Sequence, residues 1–241
     1  MKDATVVSYD PLPGDAIAVL PTICALAEVY AHVYVDMMNS AIYEIADFPR
    51  NVSHAWGHPA KDPDRYFLGM AAAFNWRFTP DMLHPTQMIM RLAGIPVAQT
   101  VPQPRIKPYT LDAPVEVYDV ILAPFTTAPN RTLTLAQTED LVELLKPLKV
   151  AILGGGSNPC VPNVPCYYNN HFAYGAELIR RAKLVIAVDS FPGRLAHAAG
   201  AFRHIVLNTG ATPLQTQVYP GAIAMNAHDI EAVAEQAKGM L

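Results

Sequence analysis

The chain has 241 residues, of which 51% are hydrophobic and 16% charged, and its formal net charge is −4. It is long enough for one large or two small domains, and its apolar content excludes a disordered chain. No apolar run reaches the ~20 residues of a transmembrane helix, and the negative charge argues against an extended nucleic-acid surface. The first ten residues read as the start of a strand rather than a signal peptide. Three cysteines, Cys24, Cys160 and Cys166, are too few for a disulfide framework, so a reducing, cytoplasmic setting is expected, free or peripheral to a membrane.

Residues 5–9 predict a strand, residues 10–15 a loop, and residues 16–30 an apolar helix. Pro21 lies inside that helix and predicts a kink or a late start. Residues 32–36 read as a second strand and residues 42–45 as a third. Residues 51–64, with Trp56, Gly57, Pro59 and Pro63, read as loop. Residues 65–74 and 85–92 read as helices, the second stopped by Gly94. Residues 96–114 hold five prolines and no periodicity, as expected of an extended connection.

The second half alternates more cleanly. Strands are predicted at residues 117–122, 149–153, 184–188, 204–207 and 222–225. Helices are predicted from Thr134, at residues 174–182, after Ser190, and at residues 229–240. Thr134 and Gln137 make a capping box, and Leu141, Leu144 and Leu145 supply an apolar face. Strands alternating with helices imply a parallel sheet covered on both faces. Ligands bind such sheets at the carboxyl ends of the strands. The turns at Gly14, Phe125, Gly154, Asp189 and Thr209 all fall there.

Residues 184–200 organise the second half: an apolar strand, a tight turn, then a helix. Pro192 suits the first helical turn, and Ser190 is a capping type. A helix N-terminus offers open N–H groups and a positive dipole end to an anion. Gly193 is expected to let a ligand approach the backbone, and Arg194 adds a fixed charge. The turn therefore reads as a phosphate seat or as an ordinary strand-to-helix turn. Asp15 reads as a proton acceptor or as a helix cap. Thr126, Thr127 and Arg131 suit phosphate contacts, or make a polar surface loop. Gly154 and Gly155 could cradle a base or ribose. Pro159 stands where the dinucleotide fingerprint needs a third glycine, which disfavours a nicotinamide dehydrogenase. Cys160, Cys166 and His171 lack a fourth partner for zinc. Asp62 and Asp64 read as a solvated charge cluster, and His54 and His58 are assigned no role.

Taken together, these turns resemble glycosyltransferase family 9, the group of the ADP-heptose:lipopolysaccharide heptosyltransferases. Gly14-Asp15, followed by an apolar stretch to Pro21, matches the family's first motif. Residues 189–198, Asp-Ser-Phe-Pro-Gly-Arg-Leu-Ala-His-Ala, match its carboxy-proximal motif in frame, preceded by a similar approach over residues 177–185. Arg131 matches the family's basic residue. Phe191 stands where the motif has Gly, Arg194 where it has His, and Leu133-Thr134 where Trp-Pro follows the basic residue. The chain is also shorter than typical members, mostly in the first domain.

The resemblance implies the α/β fold GT-B in a compact version: two Rossmann-like domains whose parallel sheets face across a cleft. Residues 1–95 would form the acceptor-side domain, residues 96–116 the Pro-rich linker, and residues 117–241 the nucleotide-sugar-binding domain. It implies inverting, metal-independent transfer of a sugar, heptose or another, from a nucleotide-diphosphate sugar to an acceptor hydroxyl. Asp15 would be the general base. Gly14, Thr126, Thr127, Arg131, Gly154, Gly155, Asp189, Ser190, Pro192, Gly193 and Arg194 would bind the donor, with no cofactor and no metal. The alternatives are a GT-B-like nucleotide-sugar epimerase and a non-catalytic nucleotide-sugar-binding protein. A nucleic-acid acceptor fits poorly with a net acidic first half.

Overall fold

A computed structural model of the chain describes residues 2–10, 12–55, 64–69, 84–97, 100–109, 116–154, 160–168, 171–210 and 219–241. The chain divides into two units, Met1–Lys107 and Pro108–Leu241. Each holds a parallel sheet with helices, as expected of two Rossmann-like domains.

In the first unit the strands are β1 (Asp3–Ser8), β2 (His32–Met37), β3 (Val52–His54) and β4 (Asp64–Phe67), in the order β3-β2-β1-β4. The helices are α1 (Pro13–Val29), α2 (Ser40–Ile45) and α3 (Pro85–Leu92). β1 buries Val6, Val7 and Ser8, on alternate faces of the sheet, and α1 buries Ile17, Leu20, Ile23 and Leu26. The first three turns of α1 are buried almost all round, Ala16, Ala18 and Val19 included, as in a helix enclosed by its domain. α1 starts earlier than expected because Pro13 sits at its first positions, where a missing N–H costs nothing. The helix then runs through Pro21 without ending there.

Three expectations fail in this unit. Residues 42–45 are helical in α2, not a strand. Asn39 Oδ1 accepts the Ile42 N–H at 3.3 Å and starts the helix. Residues 52–54, expected as loop, pair with β2. Residues 65–67, expected to begin a helix, pair with β1 instead. Residues 105–107 of the Pro-rich segment are laid on this unit. Asp47 N–H donates to Arg105 O at 2.9 Å, and Lys107 N–H to Ile45 O at 2.8 Å.

In the second unit the strands are β5 (Val120–Ala123), β6 (Val150–Gly154), β7 (Cys166–Tyr168), β8 (Leu184–Val188), β9 (His204–Asn208) and β10 (Ala222–Asn226). Their order is β10-β9-β8-β5-β6-β7. Counted from β5, that is the 3-2-1-4-5-6 order of a doubly wound dinucleotide-type sheet. The helices are α4 (Leu135–Leu144), α5 (Phe172–Arg181), α6 (Phe191–Ala199) and α7 (Ile230–Met240). The capping box forms as expected: Thr134 Oγ1 accepts Gln137 N–H at 3.1 Å, and Gln137 Oε1 accepts Thr134 N–H at 3.0 Å. Val120, Leu122, Leu141, Ile186, Ile205 and Val233 meet in the main core. β7 is a strand the sequence pattern did not announce. Cys160 and Cys166 are joined in a disulfide, their Cα atoms 6.0 Å apart. One such bond is not a framework, but the reducing setting expected from the cysteine count did not anticipate it.

Candidate functional site

In a doubly wound sheet, neighbouring loops diverge where the strand order reverses, and a crevice opens there. In the second unit this point lies between β5 and β8. Beyond β5 the chain makes a loop whose ends are tied by Thr132. Its Oγ1 accepts Thr126 N–H at 2.7 Å and donates to Thr126 O at 3.3 Å. Leu133 N–H to Pro124 O, at 2.9 Å, closes the base. A short 3₁₀ turn, Pro129–Arg131, forms inside the loop. Arg131 then reaches the loop after β8: its Nη1 donates to Asp189 O at 3.2 Å and lies 3.7 Å from Asp189 Oδ2. The structure thus joins two turns that sequence reading treated separately. Thr132 was missed; a second hydroxyl six residues after Thr126 is its signal. The Thr126 hydroxyl is engaged locally, accepting Ala128 N–H at 3.5 Å, and Thr127 is exposed.

α6 begins directly after Asp189. Ser190 occupies the N-cap position, but its hydroxyl donates back to Val188 O at 3.2 Å and caps nothing. The capping expectation is therefore corrected. The first-turn N–H groups of Phe191 and Gly193 lie outside the intrahelical ladder, Pro192 has none, and Arg194 N–H makes the first bond to Ser190 O at 3.2 Å. The positive end of a nine-residue helix thus opens beside Arg131. Gly193 also has a packing role. A Cβ there would stand 3.2 Å from Val188 O, so its missing side chain lets α6 lie close on β8. Phe191 packs on Phe172 at the start of α5, ring centroids 4.7 Å apart. Arg194 is half-buried, and Gly154 is buried at the end of β6. Gly155 lies outside the described residues.

The corresponding point of the first unit lies between β1 and β4. Gly14 is buried and Asp15 half-buried in the first turn of α1. The N-cap is Leu12, which offers no side-chain bond, so the capping role considered for Asp15 is removed. Its carboxylate sits at the positive end of a helix instead, a favourable place for negative charge. Asp10, passed over in the sequence, is buried against the end of β4. A Cβ on Gly69 would come within 2.7 Å of Asp10 Oδ2. Asp64 accepts the Tyr30 hydroxyl at 2.7 Å from the first position of β4. It therefore lies at the amino end of the sheet, away from the ligand end; Asp62 and His58 are outside the described residues. His54 packs against the Tyr43 ring at 4.9 Å. Cys160 and Cys166, being oxidised, are not thiolate ligands. Among the described residues no group of three or more His, Cys, Asp or Glu is placed to hold a metal. None of the described helices is long and apolar enough to cross a membrane.

No protein-family model matches the chain, and no curated protein matches its sequence. Solved structures do match its fold. The iron-containing dodecameric glycosyltransferase TibC from enterotoxigenic E. coli aligns with a TM-score of 0.71 at 14% identity, over 92% of this chain and 62% of TibC. A glycosyl transferase of family 9 from Veillonella parvula aligns at 0.68 and 11% identity, over 100% of this chain and 90% of the other. The E. coli heptosyltransferase WaaC, solved with ADP, aligns at 0.65 and 13% identity, over 97% and 99%. The chain spans under two thirds of TibC, and at these identities the likeness is one of fold: that of the GT-B heptosyltransferases.

Proposed function

We propose that the chain is an inverting glycosyltransferase that takes its sugar from a nucleoside-diphosphate sugar. One observation carries the reading. Arg131 and the open first turn of α6 meet at the switch point of a sheet ordered for nucleotides, in a fold shared with heptosyltransferases. Arg131, Arg194 and the α6 N–H groups hold the diphosphate. Asp189 orients Arg131 through its carbonyl and carboxylate. Asp15 takes the proton of the acceptor hydroxyl as that oxygen attacks the anomeric carbon. The bond from that carbon to the diphosphate oxygen breaks, and the leaving charge meets donors already in place. Two guanidiniums and a helix dipole supply the neutralisation, so the reading calls for no metal.

The test is calorimetry with ADP, GDP, UDP, CDP and dTDP in excess EDTA. One diphosphate is expected to bind. Arg131→Ala and Arg194→Ala each weaken it by ~1.5–3 kcal/mol, the worth of a charged hydrogen bond. Unchanged affinity in both variants sinks the phosphate assignment. Binding that vanishes in EDTA and returns with manganese sinks metal independence.

A further inference from the structure

The structure assigns the Cys160–Cys166 disulfide a positioning role: it holds the loop that carries Arg131. The inference rests on the reading of Arg131 as a diphosphate ligand. β7 is a strand of three residues at the edge of its sheet. So short an edge strand has few backbone bonds to secure the chain that leads into it. That chain is the loop 160–166, which the disulfide closes. Inside it Val164 N–H bonds Val161 O at 3.2 Å, and Ile152 N–H on β6 bonds Pro165 O at 2.8 Å. The closed loop presents Val161, which is buried with Phe125 and Ile152 in a small core of its own, with Val164 and Cys166 packed against it. Phe125 is the residue before Thr126, the root of the tied loop that ends in Arg131. The line of contact therefore runs from the disulfide into the small core that Val161 shares with Ile152 and Phe125, and along six residues of a hydrogen-bonded loop to the guanidinium.

A disulfide that served only stability would act by restricting the unfolded chain. Opening it would lower the melting temperature and leave the ligand affinity of the folded protein unchanged. A positioning disulfide changes that affinity, and does so through Arg131. Dithiothreitol opens the bond by passing two electrons and two protons to Cys160 and Cys166, which become thiols as the reagent closes to its cyclic disulfide.

The experiment begins by counting free thiols in the denatured, unreduced protein; one is expected, Cys24. Calorimetry then compares oxidised and reduced protein below the melting temperature of each, with the nucleoside diphosphate that binds best. Reduction is expected to weaken it about fivefold or more, the lower range of coupling between two sites. In Arg131→Ala, reduction should change the affinity little, because the two act along one line. Val161→Ala should weaken binding with the disulfide closed. Three free thiols, equal affinity in both redox states, or a full effect of reduction in Arg131→Ala each overturn the inference. Absence of diphosphate binding in either state overturns the donor assignment as well, so the two failures differ in what is seen.

Discussion

Asp15 is in the first turn of α1, with its backbone inside the helix and its side chain half-buried. Its carboxylate gains from the helix dipole by about 0.3–1 kcal/mol. Replacing it with Asn removes the charge and the capacity to take a proton but keeps the shape. Asp15→Asn should therefore melt only slightly lower and bind the nucleoside diphosphate as the wild type does. Its single-turnover transfer rate should fall roughly 10²–10⁴-fold, the worth of a general base. A stably folded variant that transfers sugar at a near-normal rate would turn the search to Asp10 and Asp36, two other carboxylates at this end of the sheet. Asp10 is buried against Gly69, so its place suits support of the loop better than contact with an acceptor.

At the scale of the element, α6 on β8 decides how the anion seat is built. The helix comes close to the strand because residue 193 has no side chain, with Val188 O 3.2 Å from where a Cβ would be. That oxygen is backbone and already accepts the Ser190 hydroxyl, so the first turn of α6 must yield to any added atom. Ala in a helix gains up to about 1 kcal/mol over Gly, which offsets part of the strain. Gly193→Ala should therefore change the stability by less than about 1 kcal/mol. It should weaken diphosphate binding at the same time, since the N–H groups that face the anion move with the turn. Calorimetry and a melting curve on the one variant check this; unaltered affinity would show that those N–H groups do not contact the ligand.

For the whole molecule, a buried histidine sets a dependence on acid. His204 lies beneath α6, beside His197 and the Tyr219 ring, which is 4.6 Å from His197 and 6.2 Å from His204 between centroids. Burial, helped by the neighbouring His197, pushes its pKa down from 6.5 to about 3. Between those values the unfolded chain binds a proton that the folded protein does not. The stability from keeping His204 neutral is thus complete above pH 6.5 and is lost as pH falls toward 3, at most about 1.4 kcal/mol per pH unit. Melting temperatures measured from pH 7 to pH 5 should fall more steeply for wild type than for His204→Phe, which keeps a ring and cannot titrate. Parallel profiles would mean that His204 takes up its proton in the folded state.

What the sequence determined by itself is what short-range chemistry controls. Thr134 and Gln137 are three residues apart, and they cap α4 as written. The apolar runs of β5, β6 and β8 need no partner to be recognised, and their alternation with helices already implies a parallel sheet. The turns that carry Arg131 and Asp189 could be placed at strand ends for the same reason. Only the tertiary structure decided which turns meet. Arg131 and Asp189 are 58 residues apart, and they touch because β8 lies beside β5 in the sheet, a pairing that no local pattern encodes. Residues 42–45 have a strand's composition, yet an Asn39 cap and burial of Ile42 make them helical. Ser190 has a capping residue's chemistry, but Val188 O is the nearer partner. Cys160 and Cys166, six residues apart, become a disulfide because the loop between them brings their Cα atoms to 6.0 Å, with Cys166 seated on β7 opposite Ile152 of β6. The last three are choices among local partners and conformations that the sequence left close in energy, whereas the meeting of Arg131 and Asp189 was set by strand pairing across the sheet.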